Sequence, residues 1–298
     1  MLKKTNSKSI TTYTDGNTHE MYTFDHEATE QTPALTDYRY IGNDPYNYVK
    51  FNGDEIWRII GVFNTEDGEG KWDTRIKLIR NESLGNYSWD TSESSINSGY
   101  GINEWTQADL MTELNTDYIN GSLSSNTMWY NGANNQKTGK FDYTKVLNNN
   151  SKEMISNAKY YLGGRNNATV NGESFYSSER GKIVRGGRKI MWLGLIGLMY
   201  PSDYLYAYAL GVNDTCYENA ANCTVDNASS GWLNESNNEW NIMPYANSDF
   251  YIFYRSAGLL GSGRGRSPYA VRPVLHLKPN VKIKSGDGTI DNPYEFEL

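Results

Sequence analysis

Histidine and cysteine are scarce in this chain of 298 residues: three histidines, His19, His26 and His276, and two cysteines, Cys216 and Cys223. Four zinc ligands cannot be assembled from so few, and neither a metal nor a cofactor is expected. A Ser-His-Asp triad would have to use His276. That residue lies in the alternating stretch VRPVLHLK, no GxSxG elbow accompanies it, and a structural or surface role fits it better. SGDGTIDNPYEFEL carries Asp287 and Asp291 but lacks the ligand spacing of an EF-hand loop, so a β-turn and a terminal strand account for it. The glycine-rich segment from Gly163 to Arg188 lacks the strand, glycine, lysine and helix order of a phosphate loop, and Gly186 and Gly187 read as turn residues.

Positive charge is also in short supply. A formal net charge of −7 and a pI near 5.1 argue against nucleic acid as a partner, because a phosphate backbone demands a basic surface. No apolar run approaches the roughly 18 residues that span a bilayer, and the N-terminal stretch has no apolar core of a signal peptide. Attachment to a membrane would therefore need a segment outside this chain. The 35 acidic residues occupy no distinctive motif, which leaves an acidic-residue glycan hydrolase only as an alternative reading.

Tyrosine stands out among what is present: 24 residues, with 8 tryptophans, set among Ser, Asn, Thr and Gly. This mixture suits extracellular β-rich proteins and paratopes, since Tyr offers rigid amphipathic contact area at low entropic cost. Cys216 and Cys223 flank YENAAN and would close a small disulfide loop in an oxidising compartment; two free thiols are the alternative.

The order of signals predicts an α+β fold: a tail or linker over residues 1–36, then one domain over 37–298. YRYIGNDPYNYVKFNGDEIWRIIGVF alternates around turn signals at Asn43–Pro45 and Asn52–Gly53 and reads as a hairpin, followed by a third strand, TRIKLIR. Apolar spacing predicts helices over 104–118, capped by Asn103, and over 151–162, ended by Gly163. KIMWLGLIGLMY reads as a buried strand or strand pair ending at Pro201.

Three stretches carry a family resemblance: IGLMYPSDYLYAYA, the Cys216–Cys223 loop, and WNIMPYANSDFYIFYRSAG with YAVRPVLHLKPNVKIKSGDGTIDNPYEF. They resemble the C-terminal ectodomains of surface proteins from Gram-positive gut bacteria, pilin-like ones included, whose last part is similar to a C-type-lectin fold of the formylglycine-generating-enzyme type. The chain also resembles the variable proteins of diversity-generating retroelements, which end in a W…(G/A)VRP frame around a hypervariable segment. Asparagine, abundant elsewhere, is missing from Ser248 through Pro279, as adenine-directed mutagenesis of asparagine codons would leave it; avoidance of Asn by strands and glycine turns is the other explanation. The active-site cysteines of the family's enzymatic branch are not matched in the terminal segment. Neither EPN nor QPD accompanies EWN at Glu239–Asn241, so calcium-dependent sugar binding is not implied.

The resemblance implies a surface-displayed, extracellular binding protein with no catalysis, whose partner is a protein or cell-surface ligand; a structural pilus or adhesin subunit is the alternative. Its variable face would span about residues 249–266. Periodicity alone leaves open which strand parity is buried. The family frame places Ile252, Tyr254 and Leu260 in the core and displays Asp249, Phe250, Tyr251, Phe253, Arg255, Leu259, Arg264 and Arg266. Tyr, Phe and Arg are the side chains that most often anchor interfaces. Arg272, before Pro273, is expected to be a buried hydrogen-bonding scaffold residue.

Overall fold

The computed structural model describes residues 8–12, 18–92, 99–120, 146–168, 171–207, 231–233, 237–256 and 259–298, and it shows an α+β protein dominated by strands. The first strands are β1 (Lys8–Thr12), β2 (Thr18–His26), β3 (Leu35–Arg39), β4 (Tyr48–Lys50), β5 (Ile56–Glu66), β6 (Trp72–Arg80) and β7 (Asn86–Tyr87). Helices α1 (Asp109–Asn115), α2 (Asp117–Asn120) and α3 (Asn149–Met154) precede β8 (Ile155–Ser156) and β9 (Ala158–Tyr161). Helix α4 (Gly172–Glu179), β10 (Met191–Gly194), β11 (Ile196–Gly197) and α5 (Pro201–Tyr206) come next. The C-terminal strands are β12 (Glu239–Pro244), β13 (Tyr251–Ser256), β14 (Leu259–Arg264), β15 (Tyr269–Ala270), β16 (Val274–Leu277), β17 (Lys282–Ser285) and β18 (Tyr294–Glu297).

β5 organises the larger sheet. One edge pairs with β4 and then β3, and the other pairs along its length with β6, which in turn meets β16. The β4–β5 turn has Asn52 and Gly53 at φ of 63° and 80°, the left-handed pair that a tight hairpin requires. The sheet buries both faces. Trp57, Ile59, Leu78 and Leu275 enter one apolar cluster, whereas Ile60, Phe63, Ile79 and Val274 enter another. The smaller sheet runs β14-β13-β12-β15-β7, and Val271, Arg272 and Pro273 carry the chain from β15 in this sheet to β16 in the larger one.

Several expectations need correction. The tail expected over residues 1–36 includes β2, which pairs antiparallel with β3 and buries Met21, Phe24 and His26. Its polar composition concealed this because ionic contacts supplement a small apolar face. His26 lies 3.1 Å from Asp37 and 3.0 Å from Glu173 and stacks on Tyr176, while Arg39 pairs with Asp37 and Asp203, and Lys77 with Asp203. The helix expected over 104–118 is divided into a short 3-10 turn at Trp105–Gln107, α1 and α2. The one expected over 151–162 stops at Met154. Asn148 caps its start by accepting from Ser151 N, and Ile155 turns extended because β8 and β9 pair with β16 and β10. Tertiary pairing overrides local helical spacing there. KIMWLGLIGLMY does hold two strands before Pro201 opens α5, but β10 pairs with β9 and β11 with β16, and β10 is not buried: Met191 and Leu193 are exposed.

Candidate functional site

The β12–β13 connection is cross-tied before any of its side chains reaches solvent. Asn103 donates from Nδ2 to the carbonyls of Tyr245 (3.1 Å), Ser248 (3.0 Å) and Tyr251 (2.8 Å), and its own N–H donates to Asp249 O (3.0 Å). Asn103 is thus a loop clamp rather than the helix cap expected of it. Ser248 Oγ accepts from Phe250 N and Tyr251 N, and Gly265 N closes the open end of the β13–β14 hairpin onto Phe250 O. The backbone from 245 to 251 is held by donors on three sides, so its side chains project from a fixed frame.

On this frame five of the expected residues come together: Asp249, Phe250, Tyr251, Arg264 and Arg266. Tyr251 is the register partner of Arg264, so the two side chains lie on the same sheet face. The ring of Tyr100 joins them, with its centroid 5.1 Å from Phe250, 4.0 Å from the Arg264 guanidinium and 4.7 Å from that of Arg266. Phe250 and Tyr251 rings are 4.7 Å apart. Arg266 is further fixed by its bond to Gly99 O (2.6 Å). Arg185 forks onto Asp249 from Nε (3.0 Å) and Nη2 (3.1 Å), and Arg188 donates to the Asp249 carbonyl (3.0 Å). Phe250, Tyr251 and Arg266 are half-buried, and Arg264 is exposed.

The remaining expected residues lie elsewhere. Phe253 is fully buried, edge-on to Phe175 at 5.4 Å in the second apolar cluster, and Arg255 is fully buried as well. Their display is overturned, because α4 and α5 cover this face of β13 beyond Tyr251 and leave only its first residue open. Leu259 is exposed but sits at the other end of β14, on the opposite sheet face from Arg264, roughly 17 Å along the strand. Tyr254, assigned to the core with Ile252, is only half-buried. It lies over Gly261, as Tyr269 lies over Gly263, where a Cβ would come within 2.8 Å and 2.7 Å of the rings. Those two glycines make room for aromatics within a strand rather than turning the chain. Cys216 and Cys223 lie outside the described residues.

Arg255 instead completes a buried triad. Glu239 accepts from Arg255 Nη2 (2.9 Å) and from Arg272 Nε (2.8 Å) and Nη2 (2.9 Å), and Arg272 also donates to Leu233 O. Burial pushes the Glu239 carboxyl up, yet Arg272 and Arg255 outweigh it and hold the group below the usual carboxylate range. Arg272 is therefore the scaffold residue expected. Beside the triad lies a polar cavity of about 390 Å³, and a cleft of about 640 Å³ shares Asn81 and Glu82 with it. Glu239 is committed to two guanidiniums and Glu55, in the cleft, to Arg80, so neither is a free general base. His276 is buried between Phe63 and Tyr160, where burial and then Lys77 drive its pKa down and keep the imidazole neutral. Among the described residues, no group of three or more His, Cys, Asp or Glu is placed to hold a metal, and no helix is long and apolar enough to cross a membrane.

Tyr100, Asn103, Arg185 and Arg188 were not in the expected set, though two signals pointed to Tyr100 and to the arginines. Tyr100 stands between glycines at φ of 69° and 82°, and GKIVRGGRK carries four cations and no acid over nine residues. No family model, curated protein or solved structure matches the chain.

Proposed function

We propose that this chain is an extracellular, surface-displayed binding domain of C-type-lectin-like type, without catalysis, whose recognition face is the Tyr100, Phe250, Tyr251, Arg264 patch with its arginine neighbours. One observation carries the reading: aromatic rings and guanidiniums stay open to solvent on a backbone that Asn103 ties to three carbonyls. Rings and forked cations on a rigid frame bind a partner at low ordering cost. The C-type-lectin-like assignment is supported by the WNIMP strand lying beside the strand that enters VRPV, with Glu239 of the first bridging Arg255 on β13 and Arg272 in VRPV. If the segment is diversified, as in retroelement variable proteins, the burial of Phe253 and Arg255 confines useful diversity to the 249–251 and 262–266 ends of the hairpin.

Panning a random displayed-peptide library on the protein tests this. Retained clones are expected to bind the wild type at least about tenfold more tightly than Phe250→Ala/Tyr251→Ala. Melting temperatures should agree within about 5 °C. Clones that bind the two proteins equally overturn the assignment of this face.

A further inference from the structure

We infer that the partner of this face is an acidic segment of another protein, one that presents carboxylates beside apolar side chains. The inference rests on the binding-face reading and deepens it. The chain as a whole is acidic, with 35 Asp and Glu against 28 Lys and Arg. Among the described residues the balance reverses at the face: Arg185, Arg188, Arg264 and Arg266 converge there with Lys189 beside them in the chain, against Asp249, Glu104 and Asp90, the last buried and accepting from Ser92 N and Ile102 N. Glu104 is buried, and it accepts from Lys189 N and Thr106 Oγ1. Asp249 is already spanned by the Arg185 fork. The exposed cations, Lys189 and Arg264 with the Arg185 side chain half in water, therefore face outward from a protein whose general field repels anions, and such a reversal selects an anionic partner and steers its approach.

The recognition chemistry is that of a carboxylate. Arg185 on Asp249 is an internal example, with two parallel N–H donors on two oxygens. Arg264 is poised to repeat it: its guanidinium stacks over Tyr100, the residue is exposed, and among the described residues that guanidinium donates no hydrogen bond. Stacking leaves the in-plane N–H groups of a guanidinium directed outward, where they match a carboxylate fork. Apolar surface distinguishes a protein from an acidic polysaccharide. Ile183, 64% exposed, lies on the same loop as Arg185 and Arg188, and half-buried Phe250 and Tyr251 lie beside the cations. Aliphatic and aromatic partners gain by covering such side chains, whereas a polysaccharide gains little from Ile183.

The same peptide selection decides the matter when its clones are sequenced. Bound clones are expected to be enriched about twofold or more in Asp and Glu over the input library, to weaken about tenfold between about 50 and about 500 mM NaCl, and to weaken about tenfold on Lys189→Glu/Arg264→Glu, two exposed positions. Neutral clones that lose binding on Phe250→Ala/Tyr251→Ala but not on charge reversal overturn the acidic partner and leave the face intact. Clones indifferent to both variant pairs overturn the face itself. Dextran sulfate that displaces the acidic clones more strongly than poly-L-glutamate, at equal charge concentration, overturns a protein partner in favour of an acidic polysaccharide.

Discussion

Two carboxylates in this molecule are each held by two arginines, and their surroundings give them opposite parts. Glu239 lies fully buried between Arg255 and Arg272, whereas Asp249 sits under Arg185 and Arg188 with the Arg185 side chain half exposed. The first joins β12 to β13 and to the segment that leaves for the larger sheet. The second pins a basic loop against the mouth of the β13–β14 hairpin. Water separates the roles: in its absence an unpaired charge is costly and the triad is obligatory, while at the surface solvent takes over when a partner leaves.

The largest effect comes from breaking the buried member. Glu239→Gln leaves two guanidiniums facing one neutral amide, and a loss of about 3–5 kcal/mol in urea unfolding is expected. A pH readout sharpens this. The Glu239 carboxyl is depressed in the folded state, so its contribution is complete above the unfolded value of 4.5 and is lost as pH falls through the lower folded value. The wild type should therefore lose stability relative to Glu239→Gln below about pH 4.5. A substitution that costs less than about 1 kcal/mol at neutral pH would show the triad to be dispensable.

Strand β13 contains the same contrast within a few residues. Phe253→Ala removes a ring packed on Phe175 and Tyr245 and should cost about 3–5 kcal/mol, and Tyr251→Ala, half-buried at the strand's mouth, less than about 1.5. Equal costs would mean that both residues are core and would remove Tyr251 from the face.

These pairs also show what could be read from the sequence. The β4–β5 hairpin with its Asn-Gly turn, the strand TRIKLIR and the chain break at Pro201 were legible because each rests on local chemistry: a turn dipeptide, a two-residue period, a proline. The scaffold role of Arg272 was expected from the resemblance alone, for its carboxylate lies 33 residues away. The parity of β13 was not. Tyr251, Phe253 and Arg255 share one side of the strand, and only the placement of α4 and α5 decides where along that side burial begins. Arg255 looked displayed because a buried arginine is rare unless a carboxylate meets it, and its carboxylate lies 16 residues away on β12. Arg185 and Arg188 flank the Gly186–Gly187 turn with no local partner, for Asp249 is 64 and 61 residues distant. Long-range ionic partners leave no period in a sequence.

Arg185→Ala should have the smallest effect on stability. Its fork onto Asp249 has good geometry, but the side chain is half in water and Arg188 still holds the Asp249 carbonyl and one carboxylate oxygen after its removal. A cost of about 0.2–1 kcal/mol is expected in urea unfolding at about 20 mM salt, shrinking toward zero at about 500 mM as screening replaces the ion pair. Glu239→Gln should show no such salt dependence, because ions do not reach a charge enclosed by protein. A salt-independent cost near 3 kcal/mol for Arg185→Ala would place the loop in the scaffold, and the cations at the face would then be structural rather than open to a partner.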